Sequence, residues 1–174
     1  IYSSGDVTTD IATGQAYGTN NSGDTPSSPP ALAWGTSYSV RARSKDNAAQ
    51  YGPWSDWQSF HTNAAPTTPT GLLPSGSVVG DTTPALRWVH NDPDSDAQTK
   101  ADIELRKVSD DSAVSGYDPK TLTQSTLTHD VTETLTASPS TEYKWRVRTM
   151  GTAGPGYGPW SAWQTFTVAT VGTV

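Results

Sequence analysis

Three aspartates at alternate positions form the densest acidic cluster in the chain. Asp92, Asp94 and Asp96 follow Asn91 directly after a stretch that predicts a strand. Oxygen ligands spaced in this way can surround a hard cation such as calcium, the only cofactor that the sequence suggests. The same residues also form turns in which carboxylates bond their own backbone amides. We favour the turn, because no glycine and distant glutamate complete a recognised calcium loop, and we keep calcium as the alternative.

Other residues with catalytic chemistry are scattered. His61 lies beside a proline-rich stretch, whereas His90 and His129 lie in predicted strands, where packing is the commoner role of histidine. No serine stands in a Gly-x-Ser-x-Gly elbow, and no glycine-rich phosphate loop or His-Glu-x-x-His motif occurs. The adjacent acids Asp110 and Asp111 fall in a predicted turn. We therefore expect no catalytic residues and a protein that is not an enzyme.

A repeated aromatic phrase is the strongest signal in the sequence. Residues 51–60 read Tyr-Gly-Pro-Trp-Ser-Asp-Trp-Gln-Ser-Phe, and residues 157–166 read Tyr-Gly-Pro-Trp-Ser-Ala-Trp-Gln-Thr-Phe. Two tryptophans three residues apart share a face of a polyproline II segment, whose turn is three residues. Each phrase follows a stretch, 38–43 or 143–148, in which arginines alternate with apolar residues as in a half-buried strand. The repeat indicates two copies of one domain.

We predict that the paired indoles sandwich the arginine guanidinium groups on the outside of each copy through cation–π contacts. Arginine on both ring faces would leave little room for a ligand, so we favour a structural brace over a platform that binds sugars or peptides. We call this set the ladder; it consists of Arg41, Arg43, Trp54 and Trp57 in the first copy and Arg146, Arg148, Trp160 and Trp163 in the second.

The composition of the chain further limits its possible fold class and functions. The chain has 174 residues, a net charge of −6, 16% charged residues, 13 prolines and no cysteine. Few amphipathic helical patterns and many turn residues predict an all-β fold. The negative charge argues against nucleic acid, no apolar run predicts insertion into a membrane, and disulfides are excluded.

The repeat also divides the chain. We expect the C-terminal part of one domain at 1–63, a proline-rich linker at 64–69, a complete domain at 70–169 and a tail or linker at 170–174. Aligning the copies leaves the first without its opening strands, which indicates either a piece of a longer polypeptide or a domain completed by residues outside this sequence. Tyr38 and Tyr143 should each bond the backbone upstream at a strand corner, and Trp88 should lie in the core.

These residues resemble fibronectin type III domains, in tandem. The resemblance rests on Leu86-Arg87-Trp88, on the alternating strand from Ile103 to Leu105 and on the corner at Tyr143. It implies an immunoglobulin-like sandwich of seven strands in two antiparallel sheets. The Trp-Ser-x-Trp phrase is similar to the box of cytokine receptors, although glutamine replaces the final serine. Residues 81–98 are similar to type III domains of actinobacterial secreted proteins and of the tail proteins of their phages.

From this resemblance we predict a non-catalytic extracellular or virion module, a spacer or adhesion element of a phage tail fibre or minor tail protein. Its partners would be other subunits of a fibre, its own copies in a homo-oligomer, or a glycan or protein of a host surface. The alternatives are an accessory region of a secreted enzyme that degrades polysaccharide and a cell-surface adhesin. Fold alone does not choose among them.

Overall fold

The structure is a computed structural model that describes residues 9–10, 16–17, 32–44, 46–48, 50–137 and 140–170. The chain forms two compact units, Ile1–Asn63 and Ala64–Val174. The described residues contain strands, turns and irregular segments, and no helix of the length and apolarity that crossing a bilayer requires. The all-β prediction is confirmed.

In the first unit, two strand pairs fall within the described residues. Tyr38 faces inward and stacks on Phe60, with ring centroids 5.7 Å apart. The Tyr38 hydroxyl accepts a hydrogen bond from the amide of Ala33 at 2.9 Å, which is the predicted corner. The pairs are both antiparallel and join β1 (Thr9–Asp10) to β2 (Ala16–Tyr17) and β3 (Ser37–Val40) to β4 (Gln58–His61).

The second unit is a sandwich of a three-stranded and a five-stranded sheet. The strand orders are β10-β7-β5 and β6-β12-β11-β8-β9, and every pair is antiparallel except β6 with β12. Most consecutive strands therefore cross between the sheets, while β8–β9 and β11–β12 are neighbours within the five-stranded sheet, as in an immunoglobulin-like fold. The strands are β5 (Thr67–Leu73), β6 (Ser77–Val79), β7 (Ala85–Asn91), β8 (Gln98–Lys107), β9 (Lys120–Leu122), β10 (Thr128–Asp130), β11 (Ser140–Gly151) and β12 (Gln164–Ala169).

The core of this unit lies between the two sheets. Trp88 on β7 is buried and donates its indole N–H to Gln98 Oε1 at 2.7 Å. Trp145 on β11 is fully buried and donates to the carbonyl of Pro74 at 3.0 Å. Each indole thus buries a large apolar ring while its one polar group remains bonded. Tyr143 stacks on Phe166, and its hydroxyl accepts from the amide of Thr136, so the corner predicted for the second copy is present as well.

Several predicted bounds differ from those observed. The division falls after Asn63, but β5 already begins at Thr67, so residues 67–69 of the predicted linker belong to a strand. Proline at 69 is tolerated because β5 is at the edge of its sheet. Strands β6 and β9, each only three residues long, were not predicted, and the described residues of this unit form eight strands, whereas the resemblance implies seven. Residues 171–174 of the predicted tail lie outside the described residues.

Candidate functional site

The second ladder is a continuous stack of aromatic rings and cations on the outer face of β11. Arg146, Arg148 and Lys144 alternate along that strand with buried residues, so all three point away from the core. The stack is longer than predicted, because Tyr157 closes one end and Lys144 the other. From end to end, the cation-to-centroid distances are 4.7 Å for Tyr157–Arg148, 4.7 Å for Arg148–Trp160, 4.7 Å for Trp160–Arg146, 4.5 Å for Arg146–Trp163 and 5.1 Å for Trp163–Lys144.

The phrase is held beside β11 by hydrogen bonds that involve its serine. The amide of Ser161 donates to the carbonyl of Val147 at 2.9 Å, and the Ser161 hydroxyl accepts from the amide of Val147 at 3.1 Å. Gly158 donates to the carbonyl of Thr149 at 2.9 Å. These bonds satisfy buried backbone groups at a place where no regular strand pairing continues. They explain why serine stands between the two tryptophans.

The same bonds recur in the first unit. Ser55 donates from its amide to Ala42 and accepts at its hydroxyl from the Ala42 amide, at 2.8 and 3.0 Å. Gly52 donates to the carbonyl of Ser44 at 2.8 Å. Arg41 lies 4.5 Å from the ring centroids of both Trp54 and Trp57, and Arg43 lies 4.5 Å from Trp54 and 3.9 Å from Tyr51. Arg41 and Arg146 thus lie between two indoles as predicted, whereas Arg43 and Arg148 each lie between one indole and a tyrosine ring.

Two carboxylates lie beneath the second ladder. Asp102 and Glu104 stand on β8 directly opposite Arg148 and Arg146 on β11, and both acids are buried. Arg148 donates to Asp102 Oδ2 from Nε and Nη2 at 2.9 and 2.8 Å, and Arg146 donates to Glu104 Oε2 at 2.9 and 2.8 Å. These pairs were not predicted from the sequence. The available signal was an acid at every second position of one strand and an arginine at every second position of another.

Tyr157 completes the surroundings of Asp102. Burial raises the pKa of Tyr157, and the charge of Asp102 and a hydrogen bond to it act in the same direction against the opposing effect of Arg148. The phenol therefore stays protonated and can donate to the carboxylate. Thr121 also donates to Asp102, at 2.7 Å. With its oxygens bonded in this way, Asp102 is a structural ion-pair partner and not an available base.

The acidic loop adopts the geometry of a turn. Asp92 Oδ1 accepts from the amides of Asp94 at 2.8 Å and Asp96 at 3.3 Å, and Asp94 Oδ2 accepts from the amide of Ala64 at 2.7 Å. The other oxygen of Asp92 is buried, and a side chain added at Gly151 would place its Cβ 3.2 Å from this oxygen. Across the part of the chain that the structure describes, no three histidine, aspartate or glutamate side chains are grouped to hold a metal ion.

The three histidines are separated, and each contacts a hydroxyl. His61 Nδ1 lies 3.1 Å from Ser37 Oγ, His90 Nδ1 lies 2.8 Å from Thr149 Oγ1, and His129 Nε2 lies 2.9 Å from the Tyr117 hydroxyl. Burial lowers the pKa of His129, and the nearby Lys120 lowers it further. Each of these contacts fixes the orientation of its imidazole ring.

The two adjacent acids of the predicted turn are also bonded. Asp110 accepts from Ser112, which lowers the pKa of that carboxyl. Asp111 pairs with Lys144 at 2.8 Å, and the hydrogen bond from Lys144 lowers the pKa of Asp111. Asp111 therefore holds the lysine that ends the second ladder.

Comparison with known proteins places the second unit in a defined group. The family described as the Rha78A-like, N-terminal immunoglobulin domain matches residues 72–172, more than half of the chain. No curated protein compared with the chain matches it.

The solved structures that resemble the chain include the following two. The FN1–FN3 domains of chicken CNTN1 are 19% identical with a TM-score of 0.45, over 95% of this chain and 57% of that one. An alpha-L-rhamnosidase from Dictyoglumus thermophilum is 15% identical with a TM-score of 0.50, over 63% of this chain and 13% of that one. The chain thus spans little more than half of the first structure and a small part of the second.

Proposed function

The chain belongs to the family of Rha78A-like N-terminal immunoglobulin domains, and from this premise we propose that it is a non-catalytic structural module of a larger enzyme that acts on carbohydrate. The family description assigns such domains to the N-terminal part of a protein. The rhamnosidase supports the choice of enzyme, since the matching region takes up 13% of that chain and has the same fold. The module would support and position a catalytic domain carried elsewhere in the polypeptide.

The proposal that the module is non-catalytic rests on the bonding of the two buried carboxylates. Most glycosidases use two carboxyl groups that face the scissile bond, one of which must give up a proton. In the second unit, Asp102 and Glu104 each accept two bonds from an arginine and lie under a stack of rings. Both carboxylates are engaged by arginine, and only 4% of the Asp102 side chain and 11% of the Glu104 side chain are exposed. Their arrangement suits rigidity rather than proton transfer.

A groove lined by residues of β5, β6 and β7 gives no competing site. It has a volume of about 490 Å³ and lies beside β5 and β7, where Leu73, Pro74, Val79 and Arg87 contribute to its lining. Asp81, also in the lining, accepts from the amide and hydroxyl of Thr83. Among the described lining residues there is no second carboxyl group to form an acid pair.

This proposal corresponds to one of the alternatives predicted from the sequence, an accessory region of a secreted enzyme that degrades polysaccharide. The prediction of a phage tail fibre or minor tail protein finds no support among the family and structure matches. We keep the extracellular location predicted from the sequence as part of the proposal.

The test uses the full polypeptide to which the chain belongs. The 174-residue chain alone should show no turnover of 4-nitrophenyl α-L-rhamnoside, while the full polypeptide should hydrolyse it or a related glycoside. Asp102→Asn in the full polypeptide should lower the melting temperature and leave kcat/KM unchanged at temperatures where the variant is folded. A full polypeptide without activity on any glycoside, or a folded variant without activity, would contradict the proposal.

A further inference from the structure

The outer end of the second ladder is closed by a lysine. Trp163 lies between two cations, with Arg146 at 4.5 Å and Lys144 at 5.1 Å from its centroid. The Lys144 ammonium group also pairs with Asp111 at 2.8 Å. The last indole of this stack therefore has a cation on both sides, and a carboxylate balances the second cation.

In the first unit the corresponding place holds no cation from the described residues. Alignment of Tyr38 with Tyr143 puts Ser39 at the position of Lys144. The Ser39 hydroxyl bonds to Ser59 Oγ at 3.1 Å, and serine is too short to cover an indole. Arg41 lies over Trp57 at 4.5 Å, yet 46% of the surface of Trp57 remains exposed.

We propose that the exposed face of Trp57 is a docking site for a primary ammonium group, supplied as the lysine side chain of a neighbouring protein segment. The second copy shows that an indole stacked on arginine in this phrase accepts an ammonium group on its other side. The partner's lysine would take the place that Lys144 takes on Trp163. This inference is independent of the proposed enzyme context.

Charge around the site favours the same occupant. Asp56 precedes Trp57 and stands where the second copy has Ala162, and it is exposed without an ion pair among the described residues. It can balance the incoming ammonium group as Asp111 balances Lys144. The net charge of −6 attracts a basic segment over a longer range.

A sugar is the competing ligand, because an exposed indole face also suits a pyranose ring. The internal comparison favours the amine, since the occupant of the matching place in the second copy is an ammonium group. Binding of a sugar is therefore included as an alternative result of the test.

The indole N–H signals in proton–nitrogen NMR spectra of the 174-residue chain provide the test. Tetralysine should shift the Trp57 signal in a saturable manner and leave Trp163 unchanged, at an ionic strength held constant with NaCl. Ser39→Lys should fill the site internally and weaken tetralysine binding at Trp57 about two- to fivefold, as expected for one exposed cation–π contact. Lys144→Ser should make the Trp163 signal respond as well.

Three results would overturn the inference. The first is no response of Trp57 to tetralysine, and the second is an equal response of Trp57 and Trp163 in the unaltered chain, which would indicate attraction to the acidic protein as a whole. The third is a response of Trp57 to methyl α-L-rhamnoside but not to tetralysine, which would make the site a sugar platform. Unchanged positions of the remaining indole signals in each variant show that the fold is intact.

Discussion

The two copies of the aromatic phrase share one stack but differ in what lies behind it. Arg43 and Arg148 occupy matching positions, and each lies between a tyrosine and a tryptophan. Arg148 also binds a buried aspartate at 2.8 Å, whereas Nε of Arg43 is buried without a hydrogen-bond partner among the described residues. The stack is thus present in both units, and in the second unit β8 adds ion pairs to it because its acids stand in register with the arginines.

A second difference concerns the glycine of the phrase. A Cβ added at Gly158 would lie 2.2 Å from the carbonyl oxygen of Pro66, which is backbone and cannot turn away. At Gly52 the nearest atom is Ser44 Oγ at 3.2 Å, the end of a rotatable side chain. The same residue in the same phrase is thus a packing requirement in one unit and only a minor constraint in the other.

We expect the largest difference in stability between alanine variants of these two glycines. Gly158→Ala should destabilise the second unit by about 3 kcal/mol, because overpacking against backbone forces β5 away from the phrase. Gly52→Ala should change stability by less than about 0.5 kcal/mol. Denaturant unfolding, monitored by hydrogen exchange of the β11 amides and of the β3 amides, gives the stability of each unit separately within the same chain. Equal losses in the two variants would contradict the comparison.

We expect the second-largest difference in stability between variants of Arg148 and Arg43. Arg148→Met leaves the Asp102 carboxylate buried and without its cation, and should cost about 2 kcal/mol, less than for a fully buried pair because the Arg148 side chain is 33% exposed. Arg43→Met removes only ring contacts and should cost no more than about 1 kcal/mol. Chemical denaturation of both variants provides the measurement. A larger loss for Arg43→Met would mean that the ion pair contributes nothing beyond the stack.

A smaller effect should appear with pH in the second unit. Burial lowers the pKa of His129 in the folded state relative to about 6.5 when unfolded. The unfolded chain then binds more protons between the two pKa values, so stability is highest above pH 6.5 and falls as the pH decreases through that window. The melting temperature should decrease by less than about 4 °C from pH 7.5 to 5.0 through this group. His129→Gln should remove that part of the decrease, and identical slopes in both proteins would contradict the assignment.

The smallest expected effect is that of calcium on the acidic loop. Because Asp92 accepts from the amides of Asp94 and Asp96, the loop is already held by its own backbone. Addition of millimolar calcium should leave the melting temperature unchanged, and Asp94→Asn should behave like the unaltered chain in this assay. A rise in melting temperature with calcium that is lost in Asp94→Asn would establish the metal site instead.

Residues that act within one strand or one turn were accessible to sequence reasoning. Period-two alternation placed Arg146 and Arg148 on the outer face and Trp145 in the core, and the threefold spacing of the tryptophans predicted that both indoles share a face. These features are set by backbone geometry over a few residues. The repeat then supplied the position of the two corners at Tyr38 and Tyr143.

The sequence by itself determined an all-β chain built from a repeated phrase in which tryptophan stacks on arginine. Only the tertiary structure decided that Asp102 and Glu104 are buried partners of the second ladder, that Gly158 lies against Pro66, and that β6 pairs with β12. These contacts join residues that are far apart in the chain. Their existence depends on strand register and on the path between the sheets, which local spacing does not encode.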